Sequence, residues 1–516
     1  MVKIVCSAAV NGIDGFLVSV ECVYASNVRE KMEIIGLPDT AIREAEGRVR
    51  AAAASCNLPI MHGLLTVNLA PASQKKEGTG FDLPILLSVL DTDKLGSINL
   101  GGKCFVGELS LTGEIKPVCG VLSMALAAKE LGFREIFVPY DNAAEASIAR
   151  GINVIPVRNL KELMNHLKGI ETIEPKKLSM KELQEIAALD TLDFCDVKGQ
   201  DDAKFALEIA AAGFHNVLMI GPPGSGKSML AKRLPSIMPR MTLNDAIEST
   251  RIHSVAGTLP SNTPLITSRP FRSPHHTVSA AGLAGGGKYP LPGEISLAHN
   301  GVLFLDEFPE FDKTTTEILR QPMEDGKVTI TRVSGRVTYP CNFMLVAAMN
   351  PCKCGYYGHL TKACICSPAA RLSYMNKISG PLLDRIDIQI EVQSLEFATL
   401  SSESGAEKSA DIRQRVSAAR AYAAKRFEFE TVNGKPLLFN SQMQAEHVKR
   451  FCMPTQKGIE LLKKAYDSLG LSARGYDKIL KLARTVADFD NSEMLTEDHI
   501  LLAIQLRTLD RNYWGK

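Results

Sequence analysis

A glycine-rich loop that directly follows a short apolar run constrains this chain more than any other feature of its sequence. The run is Val217 to Ile220, and the loop consists of Gly221, Pro222, Pro223, Gly224, Ser225, Gly226, Lys227 and Ser228. Such glycines let backbone N–H groups face phosphate oxygens, while the lysine neutralises the β and γ phosphates and the serine ligates Mg²⁺. Because a helix-like segment follows, the pattern is a Walker A motif and predicts a site for ATP and Mg²⁺.

Length and composition indicate a multidomain globular protein. At 516 residues the chain exceeds what one hydrophobic core usually supports, and it fits about three domains. Because 59 basic residues nearly balance 57 acidic ones, any nucleic-acid contact must come from a local patch. No apolar run has membrane length and no export signal is apparent, so we expect a cytoplasmic protein without a membrane partner. Its 12 cysteines are then expected to be thiols or metal ligands rather than disulfides.

Changes of pattern along the chain predict an α/β fold in three parts joined by a linker. Residues 1–165 alternate strand-like and helix-like segments, and residues 166–192 are typical of a linker that includes a helix-like segment at 181–189. Residues 193–395 place glycine-rich loops between apolar strands, as in a P-loop ATPase core. Residues 396–516 have helical periodicity and predict a C-terminal helical lid domain.

Two further apolar strands end in the polar groups that ATP hydrolysis requires. Residues 302–305 are followed by Asp306 and Glu307, and residues 343–349 are followed by Asn350. We expect Asp306 to hold the Mg²⁺ shell, Glu307 to polarise the attacking water and Asn350 to orient that water. Alone, an apolar run ending in two carboxylates is commonly a strand that reaches the surface. Downstream of a Walker A motif it indicates a Walker B motif.

Two arginines complete the set of residues that ATP hydrolysis in a ring would need. Arg385 lies between apolar positions, from which a guanidinium can reach the γ-phosphate of a neighbouring subunit, and Arg474 opens a helix in the lid, where it can sense the same phosphate. Singly, each arginine would be interpreted as a surface residue. In the order Walker A, Walker B, Asn350, Arg385 and Arg474, the motifs resemble those of the AAA+ ATPases.

Longer motifs narrow this resemblance to the Mg-chelatase-like branch. Four segments match the ComM/YifB family, and they are Arg269 to Thr277, Gly293 to Gly301, Leu319 to Gly326 and Ser379 to Arg385. The match covers nearly the whole chain. It implies a homohexameric ring in which each ATP lies between subunits and Arg385 acts on the site of the neighbour. It also implies a competence-related helicase that promotes branch migration of recombination intermediates during DNA uptake or recombination.

A predicted hairpin is the first candidate for DNA contact. Residues 327–339 form two β-rich runs about a Ser-Gly turn, with Arg332 and Arg336 near the tip. Similar hairpins in related rings project into the pore and follow a phosphate backbone, so both arginines are predicted DNA contacts. The alternative is a solvated edge hairpin that is protected by its charges.

A long insertion between the two Walker motifs is the second candidate. Arg269, Arg272, His275, His276 and Lys288 lie beside three consecutive glycines, which is typical of a flexible basic loop. We predict DNA contacts for Arg272 and Lys288. The histidines would stack on bases or simply pack, and without cysteine neighbours they are poor zinc ligands.

Four cysteines directly after Asn350 predict a structural metal site. Cys352 and Cys354 form one close pair, and Cys364 and Cys366 form the other. Four thiolates from two close pairs suit tetrahedral zinc, although one intervening residue is tighter than the usual two. Such a site would be structural because four sulfurs leave no open position. The alternatives are free thiols and, less compatible with a cytoplasmic setting, a disulfide pair.

The N-terminal part has a resemblance of its own. Residues 107–118 and 75–82 resemble the Lon-protease-type fold, of the ribosomal S5 domain 2-like class, which also occurs in RadA. Lon chemistry needs a serine activated by a lysine amine, and the matching positions here hold Gly80 and Leu122. The resemblance therefore implies a protease-inactive scaffold that stacks as a second tier of the ring. A basic channel lined by Lys75 and Lys76 is a further expectation.

Three functions from different classes follow. The first is an ATP-driven motor whose partner is single-stranded or branched DNA, as the family resemblance implies. The second is a Mg-chelatase-like remodelling ATPase that acts on a protein partner and requires a tetrapyrrole-binding subunit. The third, an ATP-dependent protease, is disfavoured by Gly80 and Leu122. Stimulation of ATP hydrolysis by DNA or by the tetrapyrrole partner would distinguish the first two.

Overall fold

The computed structural model describes most of the chain. The described residues are 2–25, 29–96, 98–178, 192–260, 263–287, 290–332, 335–359, 361–394, 407–432 and 434–507. The predicted helix-like segment at 181–189 and the predicted DNA contact Lys288 lie outside them. Among the described helices, none combines the length and the apolar character that crossing a lipid bilayer requires.

The N-terminal part is built on a mixed seven-stranded sheet with the order β3-β4-β2-β1-β5-β8-β9. Its strands are β1 (Val2–Asn11), β2 (Asp14–Ala25), β3 (Lys31–Ile35), β4 (Leu64–Ala70), β5 (Lys103–Phe105), β8 (Glu135–Pro139) and β9 (Asn153–Val157), while β6 (Glu108–Leu109) and β7 (Ile115–Lys116) form a separate ribbon. Its helices are α1 (Thr40–Arg43), α2 (Ala45–Ser55), α3 (Asp82–Val89), α4 (Thr92–Leu95), α5 (Val121–Glu130), α6 (Ala143–Ala146) and α7 (Leu160–Leu167). Every residue of α3 is buried, which explains why six of its eight residues are apolar.

The middle part is a parallel five-stranded sheet with helices around it. The sheet order is β11-β14-β17-β10-β18, and the strands are β10 (Val217–Ile220), β11 (Phe271–Arg272), β14 (Val302–Leu305), β17 (Met344–Met349) and β18 (Ile388–Glu391). Two ribbons accompany it, β12 (Gly285–Gly286) with β13 (Leu291–Pro292) and β15 (Lys327–Arg332) with β16 (Gly335–Pro340). Every residue of β10, β14 and β17 is buried, as expected for parallel strands that are covered on both faces.

Nine helices of the described chain belong to this middle part. They are α8 (Asp201–Gly213), α9 (Lys227–Ile237), α10 (Leu243–Val255), α11 (Ala280–Ala284), α12 (Glu294–Leu297), α13 (Lys313–Glu317), α14 (Arg320–Asp325), α15 (Pro368–Met375) and α16 (Gly380–Leu383). Short 3₁₀ helices occur at Tyr140–Asn142, Phe194–Asp196, Phe308–Glu310 and Asn440–Gln442.

The C-terminal part is helical. Its elements are α17 (Ser409–Arg426), α18 (Ala445–Phe451), α19 (Gln456–Leu469), α20 (Ala473–Phe489) and α21 (Glu497–Gln505), with a small ribbon of β19 (Thr431–Val432) and β20 (Lys435–Pro436). One continuous apolar core joins these helices to the parallel sheet, and it includes Leu230 of α9, Ala419 of α17 and Leu482 of α20. The prediction of an α/β fold with a helical C-terminal region is confirmed.

The N-terminal sheet packs against the middle part through its β1–β2 turn. Arg251 of α10 donates hydrogen bonds to the carbonyl oxygen of Ile13 at 2.6 Å and to Asp14 Oδ1 at 2.8 Å. A Cβ placed on Gly12 would lie 2.8 Å from Val337 Cγ1, so this turn also contacts the β15–β16 hairpin. Leu122, at the position where Lon chemistry would need a lysine, is buried in an apolar cluster that includes Leu265.

The prediction of a basic channel lined by Lys75 and Lys76 is wrong. Lys76 is fully buried, and its ammonium donates to the carbonyl oxygens of Gly36, at 3.1 Å, and Pro71. Lys75 forms an ion pair with Glu77 at 2.6 Å. Burying an ammonium is tolerated only when backbone or charged acceptors surround it, so Lys76 is a structural residue of the loop after β4.

Candidate nucleotide-binding site

The carboxyl ends of three parallel strands bring the predicted site residues together. Gly221 follows β10, Asp306 follows β14 and Asn350 follows β17, and these strands are neighbours in the sheet. In a parallel α/β sheet, ligands bind at this edge. The N–H of Gly221 donates to the carbonyl oxygen of Met349 at 3.1 Å, which fixes the start of the Walker A loop next to the end of β17.

The Walker A loop surrounds the ammonium of Lys227 with oxygen atoms. Nζ lies 2.7 Å from the carbonyl oxygen of Gly221, 2.9 Å from that of Pro222 and 3.4 Å from Ser225 Oγ. Burial lowers the pKa of Lys227 to about 8, and the nearby Asp306 only partly opposes this effect. An ammonium in this position favours an anionic ligand.

Two glycines make the loop compatible with a phosphate group. Gly224 and Gly226 have φ values of +79° and +95°, a backbone region in which other residues are strained. A Cβ on either residue would meet no atom within 4 Å, so the strain of the backbone, not crowding by neighbours, is what favours glycine there. Helix α9 begins at Lys227, which places its N-terminus beside the loop.

The two predicted Mg²⁺ ligands are in direct contact. Ser228 Oγ donates a hydrogen bond to Asp306 Oδ2 at 2.7 Å. A hydroxyl and a carboxylate oxygen at this separation fit adjacent positions of an octahedral Mg²⁺ shell. When bound, Mg²⁺ would neutralise charge on the phosphates.

Glu307 follows Asp306 with a left-handed backbone, φ +51°, and points toward a histidine. His276 Nδ1 lies 3.4 Å from Glu307 Oε2, and the His276 ring lies against that of His275 with centroids 4.1 Å apart. His276 thus packs against another ring, as one of the two alternatives predicted, and it also faces the carboxylate predicted to polarise the attacking water.

Asn350 and Gln200 both contact the Walker A loop. Asn350 Oδ1 is 3.5 Å from Lys227 Nζ. Gln200 Nε2 donates to the carbonyl oxygens of Ser225 at 3.1 Å and Gln393 at 2.7 Å. Sequence reasoning missed Gln200, although the glycine directly before it, two residues from the start of a helix, indicates a turn. The φ of Gln200 itself is +61°.

Arg385 is held within its own chain. Its guanidinium pairs with Glu324 and donates to the carbonyl oxygen of Pro381 at 2.7 Å. Its Nε is buried and has no hydrogen-bond partner among the described residues. The structure therefore does not bring Arg385 to the Walker A loop of the same chain.

Asp387, two residues after Arg385, is bound to the helical C-terminal part. Asp387 is buried, with Oδ1 2.7 Å from Lys478 Nζ and Oδ2 3.3 Å from His215 Nδ1. Although burial opposes ionisation, Lys478 and His215 hold the pKa of Asp387 well below its usual range. Arg474 lies one turn before Lys478 on α20, is exposed, and makes no polar contact with other residues that the structure describes.

The β15–β16 hairpin presents one apolar and one exposed face. Val328, Ile330, Val337 and Tyr339 are buried, whereas Arg332 and Arg336 are exposed near the tip. Arg332 donates a hydrogen bond to the carbonyl oxygen of the preceding residue, Thr331, at 3.2 Å. Arg336 has no polar partner within the described chain.

The insertion between the Walker motifs was predicted to be a flexible basic loop, but its arginines Arg269 and Arg272 are both held by hydrogen bonds within the chain. Arg269 is half-buried and donates to the carbonyl oxygens of Pro239 and Asn300, both at 2.7 Å. Burial lowers the pKa of Arg269 to about 10. Arg272 makes two hydrogen bonds to Glu294, at 2.6 Å and 2.8 Å, so its guanidinium is already neutralised. We therefore remove Arg272 from the predicted DNA contacts.

The four cysteines after Asn350 form a compact cluster. Their sulfur atoms all lie within 4.8 Å of one another. The closest separations are 3.3 Å between Cys352 and Cys354, and 3.6 Å from each of these to Cys364. Sulfurs bound tetrahedrally to zinc at about 2.3 Å would be roughly 3.8 Å apart, so the cluster fits that geometry. A backbone hydrogen bond from Tyr356 lowers the pKa of Cys354 to about 6, which favours its thiolate. Although a backbone hydrogen bond from Cys366 opposes the change, desolvation and the sulfurs of Cys354 and Cys352 raise the pKa of Cys364 to about 11.

Fold and site together define a P-loop ATPase of the AAA+ class with a helical C-terminal part. Three family profiles match it: "Magnesium chelatase, subunit ChlI" over residues 193–400, "Subunit ChlI of Mg-chelatase" over 20–142, and "Magnesium chelatase, subunit ChlI C-terminal" over 406–507. Membership of this class implies ATP as substrate and Mg²⁺ as cofactor.

Individual relatives narrow the class. Competence protein ComM of Haemophilus influenzae is 40% identical over 98% of both chains, and YifB of Escherichia coli is 38% identical over 99% of this chain and 97% of its own. DNA repair protein RadA of Listeria monocytogenes is 38% identical over 61 residues, 12% of this chain and 13% of the relative. The chain belongs to the ComM/YifB family of Mg-chelatase-like proteins, as its motifs predicted.

Proposed function

We propose that this protein is an ATP-driven motor that moves DNA as a homohexameric ring, and that it promotes branch migration of recombination intermediates. The ring is assembled from three-part chains with an N-terminal scaffold at 1–165, a linker at 166–192, an ATPase core at 193–395 and a lid at 396–516. Lys227, Asp306, Glu307 and Asn350 perform hydrolysis in one subunit. Arg385 of the neighbouring subunit and Arg474 of the lid contact the γ-phosphate.

The position of the β15–β16 hairpin is the observation that carries this proposal. Two exposed arginines lie at the end of a hairpin whose other face is buried in the ATPase core. Only residues 341–343 separate β16 from β17, and Asn350 follows β17 directly, beside the Walker A loop. A change at the nucleotide site therefore has a short path along the chain to the arginines, which suit phosphate oxygens.

The relatives support a role in DNA metabolism. One is named for competence and another for DNA repair, and the first matches almost the whole chain. Neither name specifies an activity. The family also includes chelatase subunits, so a remodelling ATPase that acts on a protein partner is the second candidate.

The cysteine cluster holds a structural Zn²⁺. Cys352, Cys354, Cys364 and Cys366 supply four sulfurs at compatible separations, and the described region offers no other group of three or more potential ligands. Four sulfurs close the coordination shell, so the metal would stabilise the loop and not activate water.

ATP hydrolysis measured with no DNA, single-stranded DNA, duplex DNA and a four-way junction tests the proposed function. We expect stimulation by DNA in the wild type and its loss in the double variant Arg332→Ala with Arg336→Ala. The slope of log affinity against log salt concentration should become shallower by about 0.7 to 0.9 for each phosphate contact that is lost.

A matched control removes the same charge elsewhere. Lys449 and Lys464 are exposed on the helical part, and their double alanine variant should keep DNA stimulation. If the hairpin variant is stimulated like the wild type, the hairpin is not the DNA contact. If no DNA stimulates the wild type, the remodelling ATPase becomes the better explanation.

A further inference from the structure

The four-cysteine loop lies directly on the phosphate-binding loop. We infer that this loop positions the Walker A motif and Asn350, so that the metal content of the cluster controls the affinity for ATP. This inference rests on the proposed ATP and zinc sites, but it is independent of whether DNA is the partner.

The contact is made through Gly355. Its φ is +86°, and a Cβ placed on it would lie 2.7 Å from Pro223 Cδ and 2.8 Å from Pro223 Cγ. Real Cβ atoms do not approach other carbons so closely, so only glycine lets the backbone at position 355 pack against the ring of Pro223. Pro223 is the third residue of the Walker A loop, and the same Cβ would also lie 4.0 Å from Asn350 Cγ.

The cluster begins immediately after the site. Only Pro351 separates Asn350 from Cys352, and Cys352 is fully buried. The N–H of Gly355 donates to the carbonyl oxygen of Cys352 at 3.0 Å. Residues 352–355 therefore form a tight turn that contains both Cys352 and Cys354 and ends at the glycine that contacts Pro223. A displacement of Cys352 or Cys354 would therefore move Gly355 and Asn350 together.

Few side chains in the described part of this loop are buried. Lys353 and Lys362 are exposed, and Ile365, between the last two ligands, is 88% exposed. At the surface, the ring of Tyr357 lies 4.0 Å from the guanidinium carbon of Arg371 in α15. A loop with so few buried apolar contacts opens readily unless another link restrains it. The sulfurs of Cys352 and Cys364 come within 3.6 Å, which makes a shared metal ion the link that closes the loop.

Two glycine variants of the same loop test the contact. Gly355→Ala forces Pro223 to move, whereas Gly358→Ala has a similar φ of +76° but meets no atom within 4 Å. Both substitutions carry the same backbone strain, so their difference isolates the contact with Pro223. In a fluorescent-nucleotide titration we expect Gly355→Ala to weaken ATP binding about tenfold relative to Gly358→Ala.

Metal content is measured on the same samples. Both variants should retain the metal of the wild type, and chelation of the wild-type metal should weaken ATP binding as Gly355→Ala does, with restoration on adding zinc. Equal nucleotide affinity in the two variants, or unchanged affinity after the metal is removed from folded protein, would overturn the inference. Neither result would bear on DNA stimulation, which is measured separately.

Discussion

Lys227 shows how much a single buried charge determines at this site. Its ammonium is surrounded by carbonyl and hydroxyl oxygens of the Walker A loop, and burial lowers its pKa to about 8. A bound triphosphate would supply the negative charge that these neutral oxygens lack, so ATP favours the protonated lysine. Binding of ATP is therefore coupled to the protonation of Lys227.

This coupling predicts the pH dependence of nucleotide binding. Above pH 8 the free protein has a largely neutral Lys227 and must take up a proton to bind ATP, so affinity should fall as the pH rises. Between pH 8 and pH 9 we expect a decrease of about fivefold, because the phosphates are already ionised in this range. Calorimetry in buffers with different ionisation enthalpies would measure the proton uptake directly.

The variant Lys227→Arg provides the control. Arginine remains charged throughout this range, so its ATP affinity, although weaker, should not change between pH 8 and pH 9. A wild-type affinity that is equally independent of pH would contradict the lowered pKa.

Other cations show the limit of sequence reasoning at this scale. Lys76, Arg269 and Arg272 appear in the sequence as available positive charges. In the structure the first two donate hydrogen bonds to carbonyl oxygens, and the third is paired with Glu294. A cation that donates to backbone carbonyl oxygens leaves no mark in the local sequence, because every residue carries such an oxygen and most of the acceptors here are 30 or more residues away.

At the scale of elements, the strands that carry the site were predictable and their surroundings were not. β10, β14 and β17 are continuous apolar runs ending in polar residues, which is the pattern of buried parallel strands. The buried network of Asp387, His215 and Lys478, which joins β18 to α20, had no local pattern that could predict it. The contact of Gly12 with the hairpin depends on packing between separate parts of the chain.

The zinc prediction belongs to the same scale, because the metal would hold a whole loop. Purified protein analysed by emission spectroscopy should contain about one zinc per chain, bound through thiolates. Substituting Cys364 and Cys366 by serine should remove it and lower the thermal unfolding temperature of the ATPase core.

The matched control for zinc uses cysteines outside the cluster. Cys6 and Cys195 are free and partly exposed, and serine at both positions should leave the zinc content unchanged. Metal-free wild-type protein with full ATPase activity would contradict a structural zinc.

At the scale of the whole molecule, the position of Arg385 predicts that a single chain is an incomplete enzyme. In one chain it pairs with Glu324, and the structure places it away from its own Walker A loop. In the proposed ring, Arg385 would leave Glu324 and contact the γ-phosphate bound to the neighbouring subunit. Hydrolysis would then depend on assembly of the ring. An interface of this kind is heterologous, with different surfaces facing each other around the ring.

Mixing two inactive variants tests this arrangement. Lys227→Ala destroys the nucleotide site of its own subunit but keeps the arginine, whereas Arg385→Ala keeps the nucleotide site and loses the arginine. If Arg385 acts on the neighbour, about a quarter of the subunit boundaries in an equal random mixture combine an intact site with an intact arginine. ATP hydrolysis by the mixture should therefore exceed that of either variant alone.

The control mixture combines Lys227→Ala with the double variant Lys227→Ala and Arg385→Ala, in which no boundary holds an intact nucleotide site. It should remain inactive at every ratio. If Arg385 acted within its own chain, each subunit of the first mixture would still lack one essential group, and no ratio would restore activity. Recovery that rises and falls with the mixing ratio, with its maximum near equal amounts, is thus the result that only a shared site produces.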